Sequence, residues 1–393
     1  MKRLIVILIF YFHSSSLLAQ DVSFSQIDLN MMYMNPAFAG FDNNNRILML
    51  RRNQWNGIAE NFNSNIIEFN ASKTIRKRKI GGGQVVWSGG FYLIDQKIND
   101  IGPINQVFQT LDIGIVPFSF HFEFRGNIFL SMALQNVMSF NRLNTTDLIF
   151  SDQWDDYGNF FAQTGAILPD KLTDDRYFDA SVGFILTRHA TTLRNMGGMT
   201  LIGLSLHHLN EPIESFYNNQ YESSELPFKY TIHGEHLGMF PDFVSKSMKF
   251  WKVFAKHERQ GNNVTQKDEI GFTTAFSNKV QLEAGCIYRV GRYSNQRKAK
   301  FMNESFVPII RFRLMTARNI GLEVSYSYDY TVSKLRYTNA GSTNEIGLNF
   351  YFVKSKPRVC PAQGKWGNNK KWRDVMNNTG KYNRFNKKGR SNW

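Results

Sequence analysis

The chain has 393 residues, with 47 Lys and Arg against 32 Asp and Glu, giving a net charge of +15. Hydrophobic residues make up only 42% but aromatics reach 15%, with 34 Phe; wholly disordered chains lack aromatics, so general disorder is excluded. After residue 20 there is no run of about 18 apolar residues, which excludes a helical membrane protein, and the two cysteines, Cys286 and Cys360, exclude a disulfide scaffold or a Cys-rich zinc module.

Residues 1–19 have the layout of an export signal. Lys2 and Arg3 supply the positive start, Leu4 to Phe12 an apolar stretch too short to span a membrane, and Ala19 a small residue before the cleavage point. Residues 20–44 follow as an apolar segment containing Pro36, expected to fold into the lumen or mouth of what comes next as a short plug. From residue 45 to 353 the sequence alternates with period two. In Ile320–Tyr330, Ile320, Leu322, Val324, Tyr326, Tyr328 and Tyr330 fall on one face and Gly321, Glu323, Ser325, Ser327 and Asp329 on the other. The same alternation recurs around Ile128–Leu134, Ala180–Leu186, Ile202–Leu206, Val280–Tyr288 and Ile346–Phe352.

This spacing predicts strands near 45–52, 65–75, 83–95, 106–119, 127–138, 178–188, 199–208, 229–239, 249–259, 268–276, 279–290, 306–315, 319–330 and 342–353. The fold class is all-β, a transmembrane antiparallel β-barrel of about 14 strands. The long connections, 139–177, 209–228, 291–305 and 331–341, all fall on odd-numbered links, as outer loops should in a barrel that begins in the periplasm. Tyr326, Tyr328 and Tyr330 are expected in the outer aromatic girdle, Phe350 and Phe352 in the inner one. Arg311 and Arg313 alternate with Ile310, Phe312 and Leu314, so both should point into the lumen, and a turn near Arg318 sets Arg313 opposite Glu323 as a lumenal ion pair. Residues 354–393 form a basic tail with twelve Lys and Arg and one acid, Asp374, carrying +11 of the +15. An even barrel returns this tail to the periplasm. Trp366, Lys370, Lys371, Trp372, Arg373 and Arg384 combine charge with aromatic surface suited to a protein or acidic-polymer partner. The export signal puts nucleic acid in the wrong compartment.

Residues Asp21 to Gly40, with Phe24-Ser25-Gln26, Asn35-Pro36-Ala37 and Ala39-Gly40, followed by Arg52-Asn53-Gln54-Trp55, resemble the start of the PorP/SprF family, outer-membrane proteins of the type IX secretion and gliding machinery of Bacteroidota. Leu226-Pro227 with His233-Gly234, Tyr328-Asp329-Tyr330-Thr331, and Gly341-Ser342 with Glu345-Ile346 resemble later family segments; Thr343-Asn344 stand where the family has one His. The resemblance spans about residues 21–360. It implies a non-enzymatic component that supports export and surface anchoring of large adhesins through their C-terminal domains, in contact with other secretion components such as the periplasmic ring lipoproteins. A solute channel or fatty-acid-type transporter is the alternative.

No catalytic, cofactor or metal constellation is evident. His233 and His236 are three apart on a strand and point to opposite faces, and adjacent His207 and His208 are expected to do the same. Cys286 belongs to the lipid-facing register. Gly81-Gly82-Gly83 lacks a following Lys-Ser/Thr, and Asp152, Asp155 and Asp156 lack EF-hand spacing.

Overall fold

A computed structural model describes residues 21–352, except 43, 57–60, 81–82, 100–107, 125–127, 144–173, 192–196, 215–224, 243–246, 262–264, 278–279, 296–297, 316–319 and 334–340. The signal segment, the Gly81-Gly82 turn, the acidic stretch at Asp152–Asp156, Cys360 and the whole basic tail, including Trp366, Lys370, Lys371, Trp372, Arg373 and Arg384, lie outside the described residues.

Fourteen antiparallel strands close into one barrel: β1 Asn45–Gln54, β2 Asn61–Ile80, β3 Gly83–Asn99, β4 Phe108–Phe124, β5 Ile128–Leu143, β6 Asp174–Thr191, β7 Gly197–His207, β8 Lys229–Asp242, β9 Ser247–Gln260, β10 Thr265–Ser277, β11 Val280–Asn295, β12 Lys298–Met315, β13 Ile320–Thr331 and β14 Thr343–Phe352. Each strand pairs with its sequence neighbours, and β1 pairs with β14, which removes every free edge. One end of the barrel carries only short turns, from 81–82 to 316–319; the other carries 144–173, 208–228 and 332–342.

The burial pattern is inverted relative to a soluble protein. Outward residues are large and apolar: Ile202 is 61% exposed and Ile346 58%. Inward residues are polar and buried: Lys252 is 1% exposed, Glu283 2% and Asn349 0%. A sheet closed in this way, apolar outside and polar inside, suits hydrocarbon as its outer solvent. Tyr326 and Tyr330 face outward near the long-connection end. Phe352 faces outward at the short-turn end, where Phe118, Phe120 and Phe122 also form a stacked row with centroids 6.5 and 6.2 Å apart.

Two departures from simple alternation have local causes. In β4, Gly114 and Val116 are buried but so are Ser119 and His121, so the inward parity flips. A bulge lies between, at Pro117, which has no N–H for the ladder. The long connection expected at 291–305 is instead ladder: β11 runs to Asn295, β12 starts at Lys298, and Arg292 pairs with Phe301. The stretch Arg292–Lys300 is mostly polar at successive positions, so the apolar signal stops there while backbone pairing continues.

Candidate functional site

The lumen is occupied by the chain's own N-terminal segment. Asp21 lies beside Lys229, at the start of β8, and His208, just after β7, hence at the long-connection end. From there the segment runs through one helical turn, Met31–Met34, and a 3-10 turn, Pro36–Phe38, to enter β1 at the short-turn end. Asn35 caps the second turn by accepting from Ala37 N at 3.0 Å, with Pro36 at the first helical position. Gly40 has φ +65° and sits so close to Ser88 that a Cβ would collide with it. Phe24, Leu29, Met32, Ala37, Phe38 and Phe41 are buried against inward residues of the wall, among them Leu48, Leu50, Ile66 and Tyr92. Two spaces left beside the segment hold about 20 Å³ each, room for a single water.

Charged groups of the wall converge on this segment at three places. The first is a hub built on Ser25. Its hydroxyl donates to Asp329 Oδ2 at 2.7 Å and accepts from Arg52 Nη1 at 2.8 Å and Arg289 Nη2 at 2.9 Å. Arg52 also pairs with Asp329 at 3.2 Å and with Glu345, while Arg289 reaches Asp329 at 3.0 Å and Glu269 at 2.7 Å. The backbone N–H groups of Ser25 and Gln26 both donate to Glu345. The second is Asp28, which accepts from Arg311 at 2.7 Å and from Lys252; both cations also pair with Glu283, at 3.2 and 3.4 Å. The two negative and two positive charges there balance, which buried charges require.

The third place is Asp21, paired with Lys229 at 2.7 Å and His208 Nε2 at 3.0 Å. His208 Nδ1 donates to Asp179 at 3.1 Å. Burial opposes charge on His208, but Asp21 and Asp179 outweigh it and raise the imidazole to about 9. Burial would raise the Asp21 carboxyl, but Lys229 and His208 hold it well below its ordinary value. The His208 contribution is therefore complete below its unfolded value of about 6.5 and is lost as pH rises through about 9. The Asp21 contribution is present above about 3.8 and is lost on acidification. The stability difference between wild type and His208→Gln, followed by thermal unfolding, should be constant near pH 6 and shrink to nothing above about pH 10.

The structure separates residues that the sequence grouped as one motif. Ser25, Gln26, Arg52, Asp329 and Glu345 meet in the hub. Asn35 donates to the carbonyls of Phe184 and Leu204, both at 3.2 Å, and lies 3.0 Å from His233 Nε2. Phe24 packs edge-on against Tyr33 at 6.2 Å. Pro36 and Gly40 lie in the turns leading to β1, and the other motif residues sit at the long-connection end. Gln54 accepts from Arg52 and Asn53 from Arg51; Trp55, with φ 61°, ends β1 and packs edge-on against Phe62. Tyr328 and Tyr330 face outward, on either side of inward Asp329.

Arg313 lies opposite Glu323 in the β12–β13 register and pairs with it, with Tyr351 donating to the same carboxylate at 3.2 Å. Glu323→Lys should lower the urea midpoint of the folded barrel, and adding Arg313→Glu should restore it, because the swap leaves one charge of each sign facing the other.

His207 and His208 correct a sequence expectation. Both are buried, with ring centroids 6.3 Å apart, rather than on opposite faces. The strand ends at His207, and His208 takes φ 56°, which turns its side chain back inward. They serve separate partners: His207 Nε2 donates to Met34 O at 3.2 Å, while His208 bridges two carboxylates. Arg289, Lys229 and Lys252 were not singled out in the sequence. The signal was available in parity, since Arg289 shares the inward register of Gln281 and Glu283, and Lys252 lies between outward Trp251 and Val253.

The family profile described as type IX secretion system membrane protein PorP/SprF matches residues 16–350. The chain belongs to the PorP/SprF family. No curated protein matches it in sequence. Among solved structures it resembles the β domain of the Bordetella autotransporter BrkA, at TM-score 0.38 and 8% identity over 78% of this chain and 98% of that one. It also resembles the translocator domain of NalP from Neisseria meningitidis, at TM-score 0.32 and 8% identity over 83% and 95%, and OprB from Pseudomonas putida, at 0.37 and 7% over 79% and 93%. These likenesses carry no argument about function. The PorP/SprF chain is a type IX secretion membrane protein built as a closed fourteen-stranded β-barrel.

Proposed function

We propose that this PorP/SprF protein is a non-enzymatic scaffold of the type IX machinery that supports export and surface anchoring of large adhesins by engaging their C-terminal domains. The observation that carries this reading is the filled lumen. Residues 21–42 occupy the interior with apolar side chains and balanced ion pairs, so the barrel is furnished as a rigid platform and not as a conduit. A solute channel or fatty-acid transporter needs an open path, which a segment packed against the inner wall obstructs. With the short-turn end facing the periplasm, the basic tail, residues 354–393, is available there to secretion components such as ring lipoproteins, while the long connections face the cell exterior.

The test is affinity purification of the tagged protein from native outer membranes under gentle extraction, followed by mass spectrometry. An adhesin should co-purify. Deleting 354–393 should leave heat-modifiable, folded barrel and reduce recovery of periplasmic partners. Recovery of neither an adhesin nor a secretion component would sink the scaffold reading.

A further inference from the structure

We propose that Ser25–Leu29 acts as an internal latch across the β1–β14 seam, the ladder that closes the barrel. β1 and β14 have 10 residues each and are the shortest strands of the barrel. Their ladder runs only from Asn45↔Phe352 to Asn53↔Asn344, whereas β2 and β3, for comparison, span 20 and 17 residues. The seam joins the first strand to the last, so no short turn ties the two strands together. With nine residue pairs it is no longer than the β1–β2 ladder, and it lacks the covalent connection that holds that pair together.

The N-terminal segment lies along the inner surface of that line. Toward the long-connection end, Arg52 of β1 and Glu345 of β14 face each other in register and pair. Ser25 and Gln26 donate two backbone N–H groups to that same Glu345, and Ser25 Oγ accepts from that same Arg52. Ser25 Oγ also holds Asp329 of β13 and Arg289 of β11, so this one residue reaches β1, β11 and β13 through its hydroxyl and β14 through its N–H. Toward the short-turn end, Arg46 of β1 donates to Leu29 O at 3.2 Å. Between these points Gly347 of β14 leaves room for Leu29: a Cβ there would come within 2.4 Å of Leu29 Cδ1 and 3.3 Å of Leu50 Cδ1, from β1. The absent side chain seats the segment over both strands at once. These groups come together only when β1 and β14 have paired, so the segment docks after closure and then opposes seam opening.

Hydrogen exchange of the full chain in detergent, read by mass spectrometry strand by strand, tests the latch. Ser25→Ala should raise exchange of β1 and β14 about tenfold over wild type, the change that loss of a hydrogen bond to a charged group produces, while β5 and β6 keep wild-type rates. Asp21→Asn loosens the same segment at Lys229 of β8 and at His208, outside Ser25–Leu29, and should leave the seam at wild-type rates. If Ser25→Ala prevents assembly, Leu29→Ala gives the same readout over Gly347. Unchanged seam exchange in these variants overturns the latch. So does an equal rise in the seam from Asp21→Asn, since the segment would then stabilise the barrel as a whole. Neither result bears on adhesin recovery, which tests the scaffold role separately.

Discussion

A barrel lacking residues 21–41 should conduct ions in planar bilayers, whereas the full chain should not. Fourteen strands enclose a lumen wider than the eight-stranded barrels that wall side chains alone can fill. Here the filling comes from Phe24, Leu29, Met32, Phe38 and Phe41 and the turns that carry them. Without the segment, water enters and hydrates the wall charges that Asp21 and Asp28 now neutralise. Stability should fall at the same time. The wall residues Leu48, Leu50, Ile66 and Tyr92 lose their apolar cover, at up to about 1.5–3 kcal/mol for each one fully exposed, and Lys229, Lys252 and Arg311 lose a carboxylate. Single-channel recording checks the first expectation and urea titration in vesicles the second. A closed barrel after deletion would show that the segment is not what seals the lumen.

Asp329→Ala should be among the most destabilising single substitutions in the wall. Asp329 is 2% exposed and accepts from Arg52, Arg289 and Ser25. Its removal leaves Arg52 with Glu345 and Arg289 with Glu269, each buried guanidinium short of the second carboxylate it now reaches. Breaking a buried pair by removing one partner costs about 3–5 kcal/mol. Asp329→Asn keeps an acceptor and the volume and should cost less. The urea midpoint and the temperature at which the heat-modifiable band is lost should rank wild type, Asn and Ala in that order. Equal stability of Asp329→Ala and wild type would mean that the hub is hydrated and its charges are screened.

Strand number, the direction of most side chains and the family are all legible in the amino-acid sequence. Period-two alternation is a local property: Ile320 to Tyr330 declares its faces whatever it pairs with, because successive Cβ atoms on a strand point to opposite sides. The Arg313–Glu323 pair was readable for the same reason, since the two residues are ten apart on strands joined by a short turn. Local signals failed where a single residue broke the pattern, at Pro117 and at His208, and where pairing continued beyond the apolar belt in β11 and β12. The partners of the inward charges emerge only once the barrel has closed around the N-terminal segment. Ser25 and Asp329 are 304 residues apart, and Asn35 meets Leu204 and His233 across 169 and 198 residues. Those contacts exist because the sheet closes on itself and wraps residues 21–42. Closure brings charges from many strands onto one short segment, and no periodicity in the chain encodes which of them meet.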